Sequence, residues 1–278
     1  KEEDIEQISP IKTGLTNTSF KFSVLGKQYV YRHPGKGTEE YINRNSEAAS
    51  MEIAKKLGID NTYIHMDEKG WKISYYIENA RNLDYHNNVD VEQALKYLKL
   101  LHSSGEKTEY EFDIWNQINS FLHLLSEENR DDFEDMDELL SLIDKLKVEL
   151  SNAQEYCLCH CDSYDPNFLI DRKNRMYLID WEYSGMAHPA VDVGTFIACS
   201  DYNIEEAKEI IKKYLGEEYS IDKVKTYLGY TAVISFYWFL WALHQDSLGK
   251  NVGKYLYIWY KYTKIYAKEA LKFKGVNF

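Results

Sequence analysis

The chain has 278 residues, 44% of them apolar and 15% aromatic, which suffices to bury one large core or two lobes. Its net charge of -12 argues against a nucleic-acid partner, since phosphate backbones are held by clustered cations that displace counterions. No window approaches the roughly 20 apolar residues of a membrane span, and "KEEDIEQISP" lacks the apolar core of a signal peptide, so a cytoplasmic protein without membrane insertion is expected.

Along the chain, "KTGLTNTSFKF" lies between the first two strands and offers backbone N–H groups and hydroxyls over a phosphate, with Thr16, Asn17 and Thr18 as candidate ATP contacts. "TSFKFSVLGKQYVYRHP" alternates apolar and polar residues on both sides of Gly26-Lys27 and reads as a hairpin. Arg32 closes its second strand. In "EEYINRNSEAASMEIAKKLGI", Ile42, Ala49, Ile53, Ala54 and Leu57 recur at helical spacing, and Gly58 is placed to end the helix. Glu47 in this helix and Arg32 before it have the arrangement of the cation and carboxylate that hold ATP phosphates in kinases. An Arg keeps its charge under burial and grips phosphate with two bonds. "YIHMDEKGWKISYYI" is a second hairpin turning near Glu68 to Gly70, so residues 1–77 are expected to form a small sheet with one helix.

From residue 78 to 278 helical patterns dominate, over 90–102, 113–126, 137–150, 204–215, 221–245 and 252–272. The acidic run "SEENRDDFEDMDE" reads as a solvated connection between two of them. Cys157, Cys159 and Cys161 alternate along "YCLCHC", so on a strand they share one face, while Cys199 is far off in sequence. A soft metal is conceivable there, but tetrahedral zinc normally recruits a second Cys or His pair, and none is suitably spaced; reduced structural thiols are the simpler reading.

The chemistry concentrates in "CHCDSYDPNFLI" and "MYLID", two strand-like runs joined by the polar turn "DRKNR". Phosphoryl transfer needs a carboxylate to orient the attacking hydroxyl, oxygen ligands for Mg2+ and donors for the phosphates. The spacing His-x-Asp-x4-Asn supplies Asp162 for the hydroxyl and Asn167 for the metal. Asp180, ending the next strand, is the candidate bridging Mg2+ ligand, and a few oxygens suffice because phosphates and water complete the octahedron.

With these motifs the chain resembles the choline/ethanolamine kinases, in particular the bacterial choline kinases that feed phosphocholine into cell-surface glycans, within the kinase-like fold shared with aminoglycoside phosphotransferases. The resemblance covers nearly the whole chain through "TNTSF", "YVYRHPGKGTEEYINRNSE", "YIENARNL", "HCDSYDPNFLI", "LIDWEYSGMAHPAVDVG" and "YWFLWAL". It implies an α+β bilobal protein-kinase-like fold: an antiparallel-sheet N-lobe over residues 1–77 and a helical C-lobe over 78–278. ATP is expected in the cleft, its adenine on the backbone near Tyr75 to Glu78, with Ile77 among the contacts. Asp192 is expected to brace the catalytic loop and Glu182 to help hold a second metal. Cys161 departs from the family pattern, but its side chain is expected to point away along a strand-like run.

For the acceptor, Trp238 and Trp241 are three apart and share a helix face, and Trp is the best aromatic partner for a quaternary ammonium. Tyr260 is expected to form another wall. The same stretch is apolar all round, so the competing reading is ordinary core. The resulting expectation is a kinase acting on choline with ATP and Mg2+. Ethanolamine, aminoglycosides and other small alcohols are the alternative acceptors, and a catalytically inactive nucleotide-binding protein is an alternative of a different class.

Overall fold

The computed structural model describes residues 2–11, 17–38, 41–127 and 133–272. It is an α+β protein in which a small antiparallel sheet precedes a mainly helical part. The sheet contains β1 (Ile5–Ile11), β2 (Thr18–Val24), β3 (Lys27–His33), β4 (Tyr63–Met66) and β5 (Lys72–Tyr75), in the spatial order β1-β2-β3-β5-β4. The β2–β3 turn is centred one residue before the position the alternation suggests. Leu25 and Gly26 occupy it with φ of 49° and 76°, and Val24 pairs with Lys27. A two-residue loop that follows the natural strand twist needs positive φ at both positions, so Leu25 accepts an unusual backbone and Lys27 already belongs to β3.

Helix α1 (Arg44–Lys56) starts after Ile42, because the Asn43 side chain accepts the amides of Asn45 and Ser46 and fixes the first turn there. Gly58 follows its end with φ of 74°, as the pattern predicts. The mainly helical part holds α2 (Asn88–His102), α3 (Ile114–Glu127), α4 (Met136–Leu150), α6 (Ile204–Leu215), α7 (Ile221–Ser247) and α8 (Tyr255–Lys272), each within a turn of its sequence expectation. Helix α5 (Ala190–Cys199) was not anticipated. All its residues but Cys199 are buried, so it has no polar face to create an amphipathic period. Helices α5, α7 and α8 form the centre of the core. A Cβ on Gly194 would lie 3.2 Å from the Thr231 backbone, so α5 meets α7 almost backbone to backbone.

Short strands line the junction between sheet and helices. β6 (Arg81–Asn82), β8 (Phe168–Ile170) and β9 (Met176–Leu178) form one small sheet, and β7 (Cys157–Cys159) pairs with β10 (Gly185–Ala187). Strand β7 ends at Cys159, and Cys161 has φ of 65°, so the three thiols do not lie along one continuous strand face. Strand β9 likewise stops at Leu178. Asp180 lies two residues beyond it in left-handed backbone, at φ of 67°. Among the described residues no helix is long and apolar enough to cross a membrane.

Candidate active site

The loop from β7 to β8 is held from behind by Asp192 on α5. Its buried carboxylate accepts the backbone amides of His160 at 2.8 Å and Cys161 at 2.6 Å, together with His102 Nε2–H at 2.8 Å. Burial opposes its ionisation, but the hydrogen bonds from His102 and the His160 amide help outweigh burial and keep the carboxyl below its ordinary range. These bonds hold Cys161 in a left-handed conformation that costs a non-glycine residue about 1 kcal/mol. The Cys161 side chain is fully buried, so its departure from the family pattern faces the core. His160 donates Nε2–H to the Ile179 carbonyl at 2.9 Å and accepts the Asp162 amide at Nδ1, 3.2 Å away. Burial lowers its pKa, in keeping with a neutral ring that links the two halves of the loop.

This backing aims Asp162 into the cavity it shares with Asp180, Glu182 and Arg32. Asn167 Nδ2 donates to the Asp162 carbonyl at 2.8 Å and to its carboxylate at 2.9 Å. Both amide hydrogens are thereby used, which leaves Asn167 Oδ1 as a metal-capable oxygen. Burial pushes the Asp162 pKa well up, and the charges of Asp180 and Glu182 push it further. Asp180 behaves oppositely: burial raises it, but Lys72 and Arg32 outweigh burial and hold it far below the usual carboxylate range.

Arg32 is 4% exposed and contacts Glu47, Asp180 and Glu182. Glu47 also takes Lys72 at 3.0 Å and Arg44 at 2.7 Å, so its carboxyl stays ionised: burial would raise it, but the cations win. Lys72 lies directly opposite Arg32 across the β3–β5 ladder and reaches Asp180 at 3.3 Å. Like charges facing each other on a sheet repel, and here Glu47 and Asp180 separate them. Lys72 and Arg44 were missed by sequence reasoning. Glu182 accepts Asn17 Nδ2 at 2.9 Å and Arg44 at 3.1 Å, and its pKa is raised by burial and by Asp180. The set Asn167 Oδ1, Asp180 and Glu182 is all oxygen and mostly anionic, which fits Mg2+.

The structure brings Asn17 and Ser19 to the cavity, whereas Thr18 is exposed at the start of β2. Thr16 lies outside the described residues. Tyr75 and Ile77 do not line this cavity. The amides of Tyr75 and Tyr76 are already spent on Thr62 and Gln28 carbonyls, at 2.8 and 3.0 Å.

Away from the carboxylates the cavity wall is aromatic. Tyr183, Trp238, Trp241, Tyr255 and Trp259 line it. Trp238 and Trp241 meet edge to face at 5.7 Å between centroids, and Trp259 stands 5.9 Å from Trp238 and stacks on Tyr255 at 5.2 Å. Tyr260 does not join them. Its hydroxyl donates to Asp135 at 2.6 Å and its ring packs on Phe133 and Phe239, because one residue along α8 turns the side chain about 100° away. The wall expected from Tyr260 is supplied by Trp259 and Tyr255.

Residues 7–225 match the model of a phosphotransferase enzyme family. Protein LicA of Haemophilus influenzae is 26% identical over 258 residues, covering 87% of this chain and 74% of its own. The crystal structure of choline kinase LicA from Streptococcus pneumoniae superposes with a TM-score of 0.79 at 26% identity, covering 95% of this chain and 93% of that one. A structure of LicA in complex with AMP gives 0.81 at 25% identity, covering 96% and 92%.

Proposed function

Because the chain belongs to the phosphotransferase enzyme family, we propose that it is a kinase that moves the γ-phosphoryl group of ATP to the hydroxyl of choline, yielding phosphocholine and ADP. The observation that carries this reading is that Asp162 and Asp180 share one cavity with three indoles and three phenols. A trimethylammonium has no N–H to donate and is recognised by ring faces. Ethanolamine or an aminoglycoside carries N–H donors that call for acceptors around the ammonium, whereas the wall away from the carboxylates is made of aromatic rings. The similarity to choline kinase LicA supports choline as the acceptor, and the similarity to a LicA structure in complex with AMP supports an adenine nucleotide as the donor.

In this mechanism Asp162 accepts a hydrogen bond from the acceptor hydroxyl and takes its proton as the oxygen closes on the γ-phosphorus and the bond to ADP breaks. A carboxylate made more basic by burial suits that late transfer. Arg32, fixed by Glu47, neutralises phosphate charge. Asn167, Asp180 and Glu182 would hold Mg2+, which when bound supplies charge neutralisation at the phosphates. With the Tyr75 and Tyr76 amides engaged, an amide donor for adenine would come from Ile77 or Glu78, at the proposed boundary between an N-lobe of residues 1–77 and a C-lobe of 78–278. A cytoplasmic setting would supply the ATP.

A coupled assay of ADP release tests the proposal with choline, ethanolamine and an aminoglycoside. Choline should give the highest kcat/KM. Preference for either other amine would overturn the acceptor assignment, and no ADP with any acceptor would favour an inactive nucleotide-binding protein.

A further inference from the structure

Behind the catalytic loop, His102 at the end of α2 meets Cys157 and Cys159 on β7, with one ligand atom of each lying within 4.8 Å of the others. The two thiols are 3.7 Å apart. Sulfurs bound to one tetrahedral zinc at about 2.3 Å each stand roughly 3.8 Å apart, so the pair is already spaced for a shared ion. His102 is prepared in the same sense. Its Nε2–H is donated to Asp192 at 2.8 Å, which fixes the tautomer and leaves the Nδ1 lone pair available, now occupied by the Tyr214 hydroxyl at 2.7 Å. A carboxylate behind a histidine is the usual outer support of a zinc ligand. Cys157 is only half-buried, which gives an entry path, whereas Cys159 is enclosed.

We propose that His102, Cys157 and Cys159 form a site for a thiophilic d10 cation such as Zn2+, separate from the Mg2+ position and joining α2 to β7. Binding replaces the two thiol protons, which pass to solvent, and moves the Tyr214 hydroxyl off Nδ1; water fills the fourth position. The sequence alone argued against zinc because no second Cys or His pair is spaced nearby, but the fold brings His102 from 55 residues upstream of Cys157. The ion would stand directly behind Asp192, the residue that holds the His160 and Cys161 amides.

Metal-free full-length protein, kept reduced, is titrated with Zn2+ against a chromophoric chelator, and separately with Co2+ while near-ultraviolet absorption is recorded. The expected result is one Zn2+ per chain above that taken by Cys157→Ser/Cys159→Ser, release of two protons, and a thiolate-to-Co2+ charge-transfer band that the Mg2+ site, having only oxygen ligands, cannot give. Cys157→Ser changes a half-buried position, so it should fold, and should weaken binding by at least the roughly tenfold to hundredfold lost with an outer-shell partner. Tyr214→Phe removes the competitor for Nδ1 and should bind as tightly or more tightly. Equal zinc uptake by wild type and Cys157→Ser, or absence of the charge-transfer band in wild type, would overturn the site.

Discussion

Trp259 and Tyr260 are neighbours in sequence on different sides of α8, and replacing each tests the acceptor pocket. Trp259 is 6% exposed and stands against Trp238, Trp241 and Tyr255. A cation held at so dry a ring gains about 2 kcal/mol, so Trp259→Leu should weaken choline roughly 30-fold, and Trp259→Phe less because a smaller ring face remains. The lost volume has its own cost of up to about 3 kcal/mol in stability, and it could loosen the pocket without any electronic effect. A neutral ligand of choline's shape, 3,3-dimethylbutan-1-ol, separates the two. Calorimetric Kd values for both ligands, taken beside thermal unfolding of each variant, should show the large loss for choline and a small one for the carbon analogue. Tyr260→Phe should leave both Kd values unchanged and cost about 1 kcal/mol of stability through the bond to Asp135. Equal losses for the two ligands, or an unchanged choline Kd in a folded Trp259→Leu protein, would refute the cation–π argument.

Asp162→Asn should abolish turnover, leave nucleotide Kd nearly unchanged and raise the melting temperature at neutral pH. A carboxyl whose pKa is raised by folding destabilises the fold as pH climbs above its unfolded value near 3.8, so this gain should vanish in acid, as melting curves across pH would check. Asp180→Asn should do the reverse. Its carboxyl is depressed in the fold, contributes stability above the same unfolded value and loses it only in strong acid, so the variant should melt lower at pH 7 and bind Mg-ATP weakly by calorimetry. Lys72→Met should cost about 1 to 3 kcal/mol in urea unfolding, with Arg32 and Arg44 still covering Glu47. It should also move the acid limb of Mg-ATP binding to higher pH, because Lys72 contributes most to holding Asp180 ionised.

The motif spacing made Asp162, Asn167 and Asp180 readable from the chain because all three sit within one strand-turn-strand segment, where local geometry fixes their relation. Arg32 and Glu47 were readable as a pair for a similar reason, one hairpin strand followed by one helix. Lys72 was not, since it reaches the site only through the register that sets β5 against β3, a relation across 40 residues that no local period encodes. Helix α8 posed a different difficulty. In "YLYIWYKYTKIY" aromatic residues occupy every face, so the pattern gives a helix without saying whether Trp259 or Tyr260 looks inward. Only packing against α7 and α4 decides that.

Helix α1 follows the sheet strands β1 to β3 in sequence and packs on β4, yet it is also tied to the helical part. Ser46 Oγ donates to the Ser184 carbonyl at 2.6 Å, Arg44 reaches Glu182, and just past the helix the Ile59 carbonyl accepts the Leu178 amide at 3.4 Å. Mechanically, then, α1 is a strap between the two parts, and a swing of the sheet against the helices would have to strain one set of these ties. Arg32 and Lys72 fasten Glu47 to β3 and β5, and Arg44 fastens the same helix to Glu182, so the strap is anchored by ion pairs at both ends and resists such a swing.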